Sequence, residues 1–87
     1  MLKFNLTFTY KGHQAIMHVS KIEVLNGTAS YFVEVEEHQK FNVPDSIILQ
    51  QHYYGGLVFY YEFSDKKFVT EIARHIILYC QENNILL

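Results

Sequence analysis

The run from Ser64 to Asn84 constrains the fold most, because it has the period of an amphipathic helix. Apolar residues recur there at intervals of three and four, the spacing of one helical face: Phe68, Val69, Ile72, Ala73, Ile76, Ile77 and Cys80. Ser64 or Asp65 can cap the start of this helix, and the Asn83-Asn84 pair predicts its end. Because so wide an apolar stripe must be buried, the helix requires a partner layer.

Strand-like segments before the helix supply that layer. Residues 2–10 alternate apolar and polar side chains, which is typical of a half-buried strand. Lys11-Gly12 predicts a two-residue turn in which Gly12 takes a positive φ. Folding the chain about this turn pairs apolar residues on one face: Phe8 with Ala15, Leu6 with Met17, and Phe4 with Val19.

A second hairpin is predicted at Asn26-Gly27, a dipeptide typical of two-residue turns. The resulting pairs are Val24 with Ala29, Ile22 with Tyr31, and Ser20 with Val33. The first hairpin buries the odd-numbered residues of the shared strand, and the second buries the even-numbered ones. A regular strand cannot do both, because a slip by one residue turns every side chain to the other face. A β-bulge near Ser20-Lys21 would reconcile the two registers. Alternatively, the second strand ends at Val19 and a new strand begins at Ile22.

The segment between the second hairpin and the helix is less clearly patterned. A polar run over residues 36–40 predicts an exposed connection, followed by a short extended piece over residues 41–43. Ile47 to Tyr54 fits a strand that Gly55-Gly56 turns back into Leu57 to Phe63. It fits equally well a short helix that starts around Pro44. Leu57 to Phe63 itself alternates and predicts a strand.

Composition excludes several classes of protein. The chain has 87 residues, of which 49% are hydrophobic and 16% aromatic, so we expect one domain spanning residues 1–87. A net charge of −2 argues against a nucleic-acid partner. The single cysteine, Cys80, allows no internal disulfide and is predicted to be buried, which fits a reducing compartment. With no signal peptide and no apolar run near about 20 residues, we expect a soluble cytoplasmic protein without a membrane partner.

No pattern of chemistry-bearing residues stands out. None of the five histidines has a partner at metal-ligand spacing, so we expect scattered surface histidines, no metal site and no cofactor. Glu34 and Glu36 share a strand face and could act as a carboxylate pair, but solvation of an outer face is the favoured interpretation. No nucleophile motif appears, and no catalytic residue is predicted.

Aromatic residues on the outer face of the sheet suggest an interaction surface. Alternation from Leu57 to Phe63 places Val58 and Tyr60 opposite the face that meets the helix, and Phe32 is expected beside them. Leu78 lies off the helical stripe and adds exposed apolar surface. Exposed aromatic patches often mark protein interfaces. The predicted interaction surface therefore consists of Phe32, Val58, Tyr60 and Leu78.

Together these patterns predict an α+β domain in which an antiparallel sheet of four to five strands carries one C-terminal α-helix on one face. The expected function is that of a small cytoplasmic interaction module without catalysis, whose partner is another protein or a second copy in a homodimer. The alternative is a small-ligand-binding domain with a pocket lined by Tyr and His between helix and sheet. A cavity beside Tyr61 or His52 would favour this alternative.

Overall fold

A computed structural model of the protein describes residues 2–23, 29–51, 57–59 and 66–85. Five strands form one antiparallel sheet in the order of the chain: β1 (Leu2–Tyr10), β2 (His13–Glu23), β3 (Ala29–Val35), β4 (Ser46–Gln51) and β5 (Leu57–Phe59). A short 3₁₀ helix, His38–Phe41, lies between β3 and β4, and α1 spans Lys66–Glu82. The predicted α+β class is confirmed. Within the described ranges, no helix is both long and apolar enough to cross a bilayer.

The first hairpin has the predicted register. Phe8 lies opposite Ala15, Leu6 opposite Met17, and Phe4 opposite Val19. Both turn residues have positive φ, 49° at Lys11 and 78° at Gly12. Two successive positive φ values belong to the turn type whose twist matches that of the flanking strands. Turn chemistry and core pattern therefore agree at this hairpin.

The predicted register of the second hairpin is wrong by one residue. Val19 lies opposite Val33 and Ile22 opposite Ser30, so β2 forms one regular ladder to Glu23 without a bulge at Ser20-Lys21. Strand β2 also does not end at Val19. The odd residues of β2 from Ala15 to Lys21 are buried, and Ile22 faces outward with 42% of its surface exposed. The chain between Glu23 and Ala29, which contains Asn26-Gly27, lies outside the described residues.

The ambiguous segment forms a strand where the structure describes it. Ile47 and Leu49 are fully buried in β4. Leu49 lies opposite Phe59, and Gln51 opposite Leu57. A two-residue turn at Gly55-Gly56 would instead pair polar residues of this segment with the apolar face of the next strand. Residues 52–56 and 60–65 are outside the described part of the chain.

The connection from β3 to β4 contributes to the core. Phe41 and Val43 are buried, although residues 41–43 are not extended as predicted. The 3₁₀ helix ends at Phe41, and Asn42 takes a left-handed conformation with φ 55°. His38 Nδ1 lies 2.8 Å from the carbonyl oxygen of Val43, which closes the turn.

Helix α1 confirms the predicted amphipathic pattern. Its buried residues are Phe68, Val69, Ile72, Ile76 and Cys80, while Ala73 and Ile77 are half-buried. At the C-terminal end, Asn84 adopts a left-handed conformation and the Ile85 amide donates to the Cys80 carbonyl at 2.8 Å. This arrangement satisfies carbonyl groups that a helix end leaves without partners. The proposed caps Ser64 and Asp65 lie outside the described residues.

Stacked rings attach the helix to the first strand. Tyr79 stacks on Phe4 with ring centroids 4.0 Å apart, and His75 stacks on Phe8 at 4.5 Å. Tyr79 is half-buried, so a side chain outside the main apolar stripe also contributes to the contact. Rings stacked in this way add to the stabilisation from burial alone. The core thus lies between α1 and the inner face of the sheet.

The burial of Tyr31 predicts that the folded protein loses stability at alkaline pH. Its ring is fully buried and its hydroxyl lies 4.0 Å from Cys80 Sγ. Burial, with a smaller effect of the Cys80 thiol, raises the pKa of Tyr31 far above its usual range. The unfolded chain therefore loses this proton near pH 10 while the folded protein keeps it, so stability is intact below pH 10 and falls above it.

We expect Tyr31→Phe to remove this part of the pH dependence. Urea denaturation of both proteins at pH 8 and pH 11 should show the wild type losing about 1 kcal/mol more than the variant over that interval. Equal losses in the two proteins would mean that Tyr31 ionises as readily in the folded state as in the unfolded one.

Candidate functional site

The face of the sheet opposite α1 carries an apolar patch at its centre, which we call the outer patch and define as Ile22, Phe32 and Ile48. Phe32 lies directly opposite Ile48 across β3 and β4, and Ile22 lies on β2 two residues from Ser20, the residue opposite Phe32. Ile22 is 42% exposed and Ile48 36%, and Phe32 is half-buried. No element among the described residues covers this face, so the patch is accessible to solvent.

Two residues of the predicted interaction surface, Phe32 and Leu78, lie on opposite sides of the sheet. Phe32 belongs to the outer patch, and the backbone of Val58 pairs with Gln50 in the neighbouring ladder. Leu78 is 37% exposed on α1, on the other side of the sheet. Tyr60 lies outside the described residues.

Sequence reasoning missed Ile22 and Ile48. Ile22 was placed in the core by the incorrect second register, and Ile48 fell in the segment that fitted strand and helix equally. A signal for Ile22 was present, because extending the parity of the first hairpin along β2 directs every even residue outward.

A polar row crosses the same face next to the outer patch. His18 Nδ1 lies 2.8 Å from Asn5 Oδ1, and His18 Nε2 lies 2.6 Å from Glu36 Oε2. The His18 and Glu36 side chains are each 48% exposed. Asn5 and Glu36 occupy both ring nitrogens, so neither is directed at a hydroxyl or thiol that it could activate as a base. The three side chains of this row therefore bond to one another and do not form a nucleophilic site.

The remaining described histidines are engaged in separate places. His38 bonds the Val43 carbonyl, His75 lies 2.9 Å from the Glu71 carbonyl oxygen, and His13 meets the Phe41 ring edge-on at 6.5 Å. In the part of the chain that the structure describes, no group of three His, Cys, Asp or Glu residues could hold a metal ion. His52 lies outside that part.

A cavity of about 490 Å³ opens where the β1–β2 turn, the 3₁₀ helix and the start of α1 meet. We call it the lysine cavity. The residues that line it are Tyr10, Lys11, His13, Lys40, Phe41, Asn42, Lys66 and Lys67. Its lining includes Tyr10 and His13, the residue types that the alternative function requires, but it lies at the N-terminal start of the helix. Tyr61 and His52, the expected positions, are outside the described residues.

The floor of the lysine cavity is held by packed rings. Phe41 stacks on Phe68 with ring centroids 4.7 Å apart and an interplanar angle of 7°. Tyr10 meets both of these rings edge-on, at 6.3 Å from Phe41 and 5.1 Å from Phe68. Because Phe41 and Phe68 are buried, the floor of the cavity is part of the packed core.

No protein-family model matches this chain, and neither a curated protein nor a solved structure does. Two surface features of the described residues are candidates for function. One is the outer patch at the centre of the uncovered sheet face. The other is the lysine cavity at the start of α1.

Proposed function

We propose that this protein is a small cytoplasmic interaction module that works without catalysis and pairs with a second copy of itself through the outer patch. The observation that carries the proposal is the exposure of Ile22 and Ile48 on the uncovered face of the sheet, beside the half-buried Phe32. Exposed apolar residues that cluster on one face favour association, because contact removes them from water.

The shape of the face supports a second copy as the partner. Five strands about 4.8 Å apart, with a seven-residue central strand β3, form a surface roughly 20 Å by 23 Å. Two such faces can pack at about 10 Å, as paired sheets do, with the apolar side chains between them. A two-fold dimer requires only that the patch match itself, and most soluble oligomers have closed symmetry of this kind.

The polar surroundings of the patch also support this arrangement. The Asn5–His18–Glu36 row lies on the same face and would form part of a polar rim around the apolar centre. Interfaces commonly combine an apolar centre with a polar rim. Lys3 and Glu34 are exposed on the same face and add charges of both signs.

The test replaces Ile48, an exposed residue of the patch, with glutamate. Burying a carboxylate without a partner is costly, so Ile48→Glu should weaken self-association by about tenfold or more. Because Ile48 is already 36% exposed, the monomer should remain folded. Analytical ultracentrifugation at several concentrations measures association, and a thermal melt of each protein checks folding.

Thr7→Glu is the matched control. Thr7 is exposed on the same face but lies on the edge strand β1, away from the patch. This variant should sediment like the wild type. The proposal fails if the wild type stays monomeric at every concentration, or if a folded Ile48→Glu protein associates as strongly as the wild type.

A further inference from the structure

The lysine cavity gathers positive charge in a protein whose net charge is negative. Lys11, Lys40, Lys66 and Lys67 are four of the six lysines in the chain, whose net charge is −2. They come from three separate segments: the β1–β2 turn, the 3₁₀ helix and the start of α1. Several ammonium groups around one cavity create a local positive potential, which favours the binding of an anion there.

The start of α1 adds to this positive potential. Lys66 and Lys67 occupy the first turn of the helix, which contains no acidic residue. The positive end of the helix dipole disfavours cations there and favours anions. Neither lysine forms an ion pair with any residue that the structure describes. Lys40 pairs with Glu37 at 2.7 Å, but both side chains are largely exposed and such pairs contribute little.

The size of the cavity and its walls indicate the class of ligand. A volume of about 490 Å³ is in the range of small-molecule sites and exceeds the need of a single ion. Phe41 and Tyr10 provide an apolar wall, while His13 and Asn42 add groups that can form hydrogen bonds. Lysine ammonium groups bind phosphate and carboxylate oxygens as point charges.

From these observations we infer that the lysine cavity is a binding site for a small organic polyanion that bears phosphate or carboxylate groups. Lys66 and Lys67 contact the anionic groups, with Lys11 and Lys40 on the other walls. The site does not depend on the proposed self-association, because its residues are separate from the outer patch.

The experiment measures binding of two probes, pyrophosphate and citrate, by isothermal titration calorimetry and by NMR shifts of backbone amides. Sodium chloride keeps the ionic strength constant throughout. The wild type should bind at least one probe with saturation, and amide shifts should concentrate at Lys11, Lys40 and Lys66. Tighter binding of pyrophosphate would indicate a phosphate ligand, and tighter binding of citrate a carboxylate ligand.

A double variant tests the two lysines of the helix. Lys66→Gln with Lys67→Gln should weaken binding by about tenfold or more, because it removes two charge-assisted contacts. Without any probe, its melting temperature should equal or slightly exceed that of the wild type, since cations no longer oppose the helix dipole. Loss of binding in a protein that is no less stable cannot be attributed to unfolding.

The charge-matched control is Lys3→Gln with Arg74→Gln. Both residues are exposed and neither lines the cavity. This control should bind like the wild type, and Ile48→Glu should do so as well, which separates the outcome from that of self-association. The inference is overturned if neither probe shows saturation at constant ionic strength, or if the two double variants lose binding equally.

Discussion

Replacing Ile76 with alanine is expected to lower the free energy of unfolding by about 2–5 kcal/mol. Ile76 is fully buried at the middle of the apolar stripe of α1. The truncation removes the transfer free energy of its methyl groups and leaves a cavity that the packed core can close only partly. In a domain of 87 residues this is a large share of total stability. Urea denaturation followed by circular dichroism measures the loss.

Leu78→Ala is the control for Ile76→Ala. It lies in the same helix and loses the same number of carbon atoms, but Leu78 is 37% exposed. Its cost should be well below that of Ile76→Ala, because less apolar surface returns to water. A loss below about 1 kcal/mol for Ile76→Ala would show that burial of the helix does not dominate stability.

Replacing Phe68 with alanine should cost still more, about 3–5 kcal/mol. Phe68 is fully buried and stacks on Phe41, with Phe8 at 5.8 Å and Tyr10 at 5.1 Å. Removing its ring leaves a cavity where the start of α1, strand β1 and the 3₁₀ helix meet. Denaturation experiments on the variant measure the loss directly.

A double-mutant cycle with Phe41→Ala isolates the stacked pair. Stacked rings contribute about 0.5–1.5 kcal/mol beyond the burial of their surface. The double variant should therefore be more stable than the sum of the two single losses implies. Phe32→Ala, measured at low protein concentration, removes a half-buried ring from the outer face and should cost less. Equal losses for Phe68→Ala and Phe32→Ala would contradict the assigned core.

The first hairpin and the helix could be predicted because local signals agree with burial. At Lys11-Gly12 the turn residues favour the same register that pairs Phe8 with Ala15. In α1 the period of the apolar residues selects one face, and that face is the buried one. Such patterns operate over short sequence distances and need no knowledge of the remaining chain.

At the second hairpin the register predicted from the Asn26-Gly27 turn differs from the register that the structure shows. A two-residue turn at Asn26-Gly27 would require a bulge in β2 and an unpaired residue in the ladder. The structure instead keeps β2 regular to Glu23, which lies opposite Ala29. The regular strand keeps its odd residues from Ala15 to Lys21 in the core, whereas a slip by one residue would turn this buried face outward.

The sequence by itself determined that a sheet of alternating strands carries an amphipathic C-terminal helix, because periods of 2 and 3.6 are local properties. Only the tertiary structure decided the register of the later strands, since that depends on which faces meet in the core. It also placed Ile22 beside Phe32 and brought Lys11, Lys40 and Lys66 around one cavity. These residues are far apart along the chain, and no sequence period connects them. Their proximity arises from packing alone.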